Sequence, residues 1–131
     1  MRTLSKQSVG ASKTNRNAVA LKAFFSITRK WKLTPEQERT LLAATHATFY
    51  RWKKNCDGSL TQDTLERISY ILGIYKALRI LLANEEAANK WIKKPNNAPL
   101  FGGKSALDKL LVGRVIDLAD VRRYLDAERG W

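Results

Sequence analysis

The sequence predicts an all-α protein in which an N-terminal helix-turn-helix is fused through a long central helix to a C-terminal helical domain. Three observations support this fold class. Apolar residues recur at the three- and four-residue spacing of helix faces along most of the 131 residues. Threonines that can cap helices precede several of these segments, and glycines and prolines fall between them. The longest segment, residues 61–84, is apolar on two faces.

Residues 61–84 form the predicted central helix. Its first apolar face holds Leu65, Ile68, Leu72, Tyr75 and Leu82, and its second holds Ile71, Ile74, Leu78 and Leu81. A surface helix shows a single apolar stripe, so this helix is either the buried axis of the domain or is shared with a partner chain. We assign Ile71, Ile74 and Leu78 to a dimer interface. Gly73 lowers helix propensity in the middle of the segment and indicates close packing of another helix.

The chain before the central helix divides into a tail and a helical part. Residues 1–17 are basic and rich in serine with little to bury, so we expect a flexible basic tail. Residues 18–60 form the predicted helix-turn-helix part. Its first helix, over residues 18–31, has a broad apolar face.

Two short helices complete this part. Thr34 is placed to cap a helix that has Pro35 at its first position and Gln37 at the capping-box position. After a tight break, Thr45 is placed to cap a second helix over residues 46–55. Two short helices joined by a tight turn predict a helix-turn-helix.

The positive charge of the chain is concentrated in its N-terminal part. The net charge is +12, and residues 1–56 contain twelve Lys/Arg and two Asp/Glu, whereas residues 57–131 contain twelve and ten. Such asymmetry is typical of a nucleic-acid-binding half joined to a half with another task. A merely soluble basic surface, or attraction to anionic lipid, would give a similar balance. We favour nucleic acid because the basic residues lie within a helix-turn-helix.

The second short helix carries a polar and basic outer face. Short side chains at its start can approach base edges, and Arg51 can reach a guanine or a phosphate. The run Thr48-Phe49-Tyr50-Arg51-Trp52 resembles the recognition helix of Xre-type bacterial repressors. We therefore predict that DNA is bound by Thr45, His46, Thr48, Arg51, Lys53, Lys54 and Asn55.

Residues 73–131 carry a second and more extensive resemblance. The motifs, in chain order, are Trp91-Ile92 with Pro95-Asn96, Leu100 with Gly102-Gly103, Leu107-Asp108, Gly113-Arg114-Val115 and Val121-Arg122-Arg123-Tyr124-Leu125. In this order and spacing they resemble the C-terminal toxin-binding domain of the Xre/MbcA/ParS antitoxins. Family members often carry a proline where this chain has Ala106, and the loop over residues 97–101 is longer than usual, so the local shape of the loop is expected to differ.

The resemblance implies an antitoxin of a type II toxin–antitoxin system whose partner is a RES-domain toxin, an enzyme that consumes NAD⁺. Such an antitoxin covers the toxin's active site with its C-terminal segment and represses its own operon by binding operator DNA as a dimer. Carried onto this sequence, the toxin-binding residues are Arg122, Arg123, Asp126, Glu128, Arg129 and Trp131. Trp131 also fits on physical grounds, because an uncovered aromatic ring is a favoured binding anchor.

A rival interpretation is a plain helix-turn-helix transcriptional repressor with a C-terminal domain for dimerisation or ligand sensing. An enzyme is not indicated, because the sequence lacks paired carboxylates, a nucleophile beside a histidine and a phosphate-binding glycine loop. We expect no cofactor.

Metal and membrane binding are not indicated either. The only histidine, His46, and the only cysteine, Cys56, exclude a two-histidine or cysteine-based metal site within one chain. No apolar run of about 18 residues occurs, so we expect a cytoplasmic protein without membrane contact.

Overall fold

The computed structural model describes the backbone of residues 2–56 and 58–130, with side chains from residue 15 onward in those ranges. The helices of this part are α1 (Arg2–Lys30), α2 (Pro35–Leu42), α3 (His46–Asn55), α4 (Gln62–Leu81), α5 (Glu85–Trp91), α6 (Ala106–Leu110) and α7 (Val115–Glu128). The described residues form no strand, apart from an isolated antiparallel bridge between Pro95 and Ser105. The predicted all-α class is confirmed.

Side-chain caps begin the helices of the helix-turn-helix where the sequence predicts them. The Thr34 hydroxyl accepts a hydrogen bond from the Gln37 N–H at 3.2 Å, and the Gln37 side chain accepts one from the Thr34 N–H at 2.9 Å. Thr45 caps α3 and Thr61 caps α4 through their hydroxyls. Ala43, with φ 52°, ends α2 in the left-handed conformation and starts the turn to α3. Local sequence therefore defines this motif.

Helix α1 begins well before the first helix that the sequence predicts. Where the sequence predicts a flexible basic tail over residues 1–17, the backbone of residues 2–17 continues α1. Once the packed part of a helix has formed, each added residue gains a hydrogen bond without the cost of a new nucleus. No proline interrupts this segment, and Asn17 is already buried.

Helix α4 is the buried axis of the molecule. It packs against α1 and α7, and also against α5 and α2. Ile71, Ile74 and Leu78 are at most 1% exposed and belong to the main core. Their assignment to a dimer interface is wrong, because other helices of the same chain bury these three side chains.

Gly73 allows α7 to cross α4 closely. The guanidinium group of Arg122, from α7, lies where a Cβ atom at Gly73 would stand. Any larger residue at position 73 would displace Arg122. The close packing expected at this glycine is confirmed.

Arg67, on α4, joins the two halves of the molecule. It is buried, and its Nη1 donates to the carbonyl oxygen of Gly113 at 2.8 Å and to that of Leu41 at 3.4 Å. Its Nε donates to Asp63 Oδ2 at 2.9 Å, which supplies the opposing charge. One guanidinium group therefore satisfies carbonyl groups at the end of α2 and in the turn after α6.

Candidate nucleic-acid and protein-binding surfaces

Helix α3 buries Phe49 and Trp52 and turns its polar side chains outward. The Phe49 ring meets the Phe25 ring of α1 edge to face, with centroids 6.0 Å apart. This contact holds α3 against α1. Six of the predicted DNA-binding residues are exposed at the start of α3 or along it: Thr45, His46, Arg51, Lys53, Lys54 and Asn55. The structure therefore leaves these six accessible to a duplex.

Lys53 has a different role from its neighbours on α3. Its Nζ donates to both carboxylate oxygens of Glu38, at 2.7 and 3.0 Å, and lies 4.6 Å from the centroid of the Phe25 ring. Glu38 is buried and also accepts a hydrogen bond from the Thr28 hydroxyl. The three residues Thr28, Glu38 and Lys53 thus link α1, α2 and α3. Lys53 compensates a buried carboxylate, and its assignment to the DNA-binding set stays a prediction.

The start of α3 lies beside the start of α2. The Thr45 hydroxyl accepts a hydrogen bond from the Thr48 N–H at 3.3 Å, so its role is to cap the helix. His46 Nε2 lies 3.7 Å from Glu36 Oε1. A hydrogen bond from Arg39 is the main cause that lowers the pKa of Glu36. An exposed carboxylate therefore stands next to the predicted reading end of α3.

Tyr50 is an exposed residue of α3 that is not among the predicted DNA-binding residues. Its side chain stacks on the His46 ring with centroids 6.1 Å apart and meets the Phe49 ring edge to face at 5.0 Å. It is 51% exposed. The signal that could have identified it is an aromatic residue one position before Arg51, on the polar side of the helix.

The end of α7 brings three of the predicted toxin-binding residues together. Arg122 Nε lies 3.2 Å from Asp126 Oδ2, and Arg129 Nη1 lies 3.5 Å from Asp126 Oδ1. The side chain of Arg129 is only 9% exposed. These charges are paired within the helix, and Arg122 is further held by its packing on α4.

The other predicted toxin-binding residues are separated from this group. Arg123 is exposed, and its Nη1 lies 3.8 Å from Asp120 Oδ1, a long contact at the surface. Glu128 is exposed near the end of α7. Trp131 lies outside the described residues. Arg123 and Glu128 are therefore the two described members of the set that remain most open to a partner.

A buried carboxylate that the sequence analysis missed fixes the start of α7. Asp117 is buried and accepts hydrogen bonds from Arg114 at 2.9 Å and from Lys109 at 3.1 Å. The hydrogen bond from Arg114 is the main cause that lowers its pKa to about 2, with further help from Lys109 against the opposing effect of burial. An acidic residue in the first turn of a helix, three residues after an arginine, is the sequence signal for this pair.

Exposed apolar side chains also occur in the C-terminal half. Val112 is 60% exposed in the turn that joins α6 to α7, and Ile116 is 49% exposed at the start of α7. Further along α7, Tyr124 packs edge to face on Phe101 with centroids 5.1 Å apart and stacks on Trp91. These aromatic contacts hold α7 against the end of α5 and the loop that contains Phe101, and the two aliphatic residues are left uncovered.

Comparisons with known proteins agree with this arrangement. The model of the antitoxin Xre-like helix-turn-helix domain matches residues 11–73, and that of the antitoxin Xre/MbcA/ParS C-terminal toxin-binding domain matches residues 77–130. An uncharacterized protein, y4oB of Sinorhizobium fredii (strain NBRC 101917 / NGR234), is 48% identical over 121 residues, which cover 92% of each chain. The chain belongs to the Xre-type antitoxins. The two matched regions of this antitoxin meet within α4.

Within residues that the structure describes, no three His, Cys, Asp or Glu side chains are grouped so that they could hold a metal ion. In the same part of the chain, no helix combines the length and apolar content needed to span a bilayer.

Proposed function

We propose that this antitoxin is a non-enzymatic cytoplasmic protein that neutralises a RES-domain, NAD⁺-consuming toxin and represses its own operon by binding operator DNA. The observation that supports it is that one chain carries two charged surfaces on a shared core. The recognition helix α3, with exposed cations, packs on α1 through Phe49 and Phe25, and the charged end of α7 belongs to a helix that packs on α4 at Gly73. In support, the matched helix-turn-helix domain includes α3, and the matched toxin-binding domain includes α7.

The toxin-binding surface in this proposal is the end of α7, comprising Arg122, Arg123, Asp126, Glu128, Arg129 and Trp131. Arg122, Asp126 and Arg129 form a paired and pre-ordered group, so their rotamers need little reordering on binding. Arg123 and Glu128 lie at the exposed edge of the group, where charges set the orientation of a partner. The segment covers the toxin's active site and excludes its dinucleotide substrate.

The DNA-binding surface is the outer side of α3, with Arg51 and Lys54 as the main cations and His46 at the helix start. Helix-turn-helix proteins bind two half-sites as dimers. The face of α4 that holds Ile71, Ile74 and Leu78 is buried within the chain, so a dimer requires another surface. We propose the apolar groove between α1 and α4, a cavity of about 550 Å³ lined by residues that include Val19, Leu65 and Leu72. Val19 is 64% exposed at its edge, and a second copy would cover it.

The toxin arm is tested by cellular NAD⁺. Bacteria express the reading frame next to the antitoxin gene, as the candidate toxin. They express it together with the full antitoxin, with a version truncated after Leu125, or with Arg123→Glu. We expect the full chain to preserve the cellular NAD⁺ level, and we expect the truncated version to let it fall. Arg123→Glu reverses an exposed charge and leaves α7 at full length. A loss of neutralisation in this variant could therefore not be attributed to a loss of folding. A neighbour that leaves NAD⁺ unchanged would remove the toxin assignment and favour the plain repressor.

A further inference from the structure

Helix α1 carries a cationic face that no acidic residue of the helix balances. Residues 2–30 contain no Asp or Glu. Lys22 and Arg29 are seven residues apart, two helical turns, with Ser26 between them on the same face. Both cations are exposed, and neither forms an ion pair with any described residue. Within the residues that the structure describes, their positive charge is therefore unbalanced.

This face borders the recognition helix. Lys22, Ser26 and Arg29 line a pocket of about 300 Å³ together with Phe25 of α1 and with Lys53 and Cys56 of α3. Glu38 balances the charge of Lys53, as described above. The two remaining charges of the pocket, on Lys22 and Arg29, are both positive. The Ser26 hydroxyl adds a neutral hydrogen-bond donor.

We propose that Lys22, Arg29 and Ser26 bind a phosphate group of the DNA backbone, next to the groove that α3 reads. The proposal rests on DNA binding by α3. A helix inserted in the major groove has a phosphate strand along each of its flanks, and this pocket lies along one flank of the last turns of α3. Lysine, arginine and serine side chains are the common donors to DNA phosphates.

A phosphate contact on α1 would position the recognition helix without reading sequence. Phosphate contacts fix register and orientation on the duplex, and they carry no base information. Lys22 and Arg29 should therefore contribute equally to operator and to unrelated DNA. Arg51, on the outer side of α3, should contribute more to operator DNA.

Salt dependence of binding separates these roles. The full-length antitoxin is titrated onto a fluorescent duplex from its own promoter and onto an unrelated duplex, at several salt concentrations. Lys22→Ala and Arg29→Ala are each expected to lower the magnitude of the slope of log K against log salt by about 0.9 on both duplexes. Lys76→Ala removes an exposed lysine of α4 and is the matched control, for which we expect no change.

Three other results would overturn the inference. If Arg51→Ala weakens operator binding while Lys22→Ala and Arg29→Ala leave the slope unchanged, α3 binds DNA and the α1 pocket does not. If the α1 variants weaken toxin binding with an unchanged DNA slope, the pocket binds the protein partner instead. If the unaltered antitoxin binds neither duplex, the proposed repression fails together with the phosphate contact.

Discussion

Along α7, in the C-terminal half of the antitoxin, most acidic and basic side chains are paired with one another, whereas the N-terminal half has twelve Lys/Arg and two Asp/Glu before residue 57. Asp117 and Asp126 each hold two cations in the C-terminal half. In the N-terminal half, buried Glu38 is occupied by Lys53. The paired side chains of α7 are pre-ordered, so a protein partner must fit their shape. The N-terminal half keeps its positive charge, so its binding should depend strongly on salt.

The largest expected effect on stability comes from a substitution in the buried helix α4, which both halves share. Ile74→Asp places a carboxylate at a site that is 0% exposed, and we expect it to lower the free energy of unfolding by more than about 4 kcal/mol. Both DNA binding and toxin neutralisation should be lost together. Thermal unfolding followed by circular dichroism measures the effect. Ile80→Asp, at an exposed position of the same helix, is the matched control, and similar loss in both variants would contradict the buried-axis interpretation.

Neutralising the buried carboxylate of the N-terminal half, that of Glu38, should have the next largest effect on the free energy of unfolding. Glu38→Gln keeps the shape of the side chain but removes the charge that Lys53 compensates, and we expect a loss of about 2–3 kcal/mol. Glu36→Gln alters an exposed carboxylate and should have a much smaller effect on the free energy of unfolding. Urea unfolding of both variants tests this difference. Equal stability of the two would mean that the link between α1, α2 and α3 contributes little.

The buried carboxylate of the C-terminal half gives a pH test. The pKa of Asp117 is lowered from 3.8 to about 2 in the folded chain, so folding is favoured while the group is ionised. This contribution, about 2 kcal/mol, is complete above roughly pH 5 and is lost as the pH falls toward 2. The difference in unfolding free energy between the unaltered chain and Asp117→Asn should shrink over that range. A difference that stays constant with pH would contradict the role of the charge.

The smallest expected effect on folding accompanies a large one on assembly. Val19→Asp changes an exposed residue, so the free energy of unfolding should change by less than about 0.5 kcal/mol. If the groove between α1 and α4 binds a second copy, the variant should be monomeric and should bind operator DNA more weakly. Light scattering coupled to size-exclusion chromatography measures the mass. A dimer that persists in Val19→Asp would place the interface elsewhere.

Local signals in the sequence predicted most of the helices. The hydroxyl caps at Thr34, Thr45 and Thr61 depend only on residues within one turn, and the structure has all three. Contacts between distant residues could not be predicted in this way. The buried partner of Lys53 lies 15 residues away, and nothing local distinguishes Lys53 from Lys54. A sequence with two apolar faces on one helix cannot reveal whether a neighbour belongs to the same chain, which is why the dimer assignment of Ile71 was wrong.

The position of Arg67 has a consequence for exchanging parts between related antitoxins. Its side chain joins the carbonyl groups of Leu41 and Gly113 across α4. A cut at residues 73–77, where the two family matches meet, would divide this helix and leave each piece without part of its core. A chimera that takes its toxin-binding half from a relative must keep α4 whole. It must also keep the turn at Gly113 that receives the arginine, so specificity is exchanged most safely beyond that turn, at the end of α7.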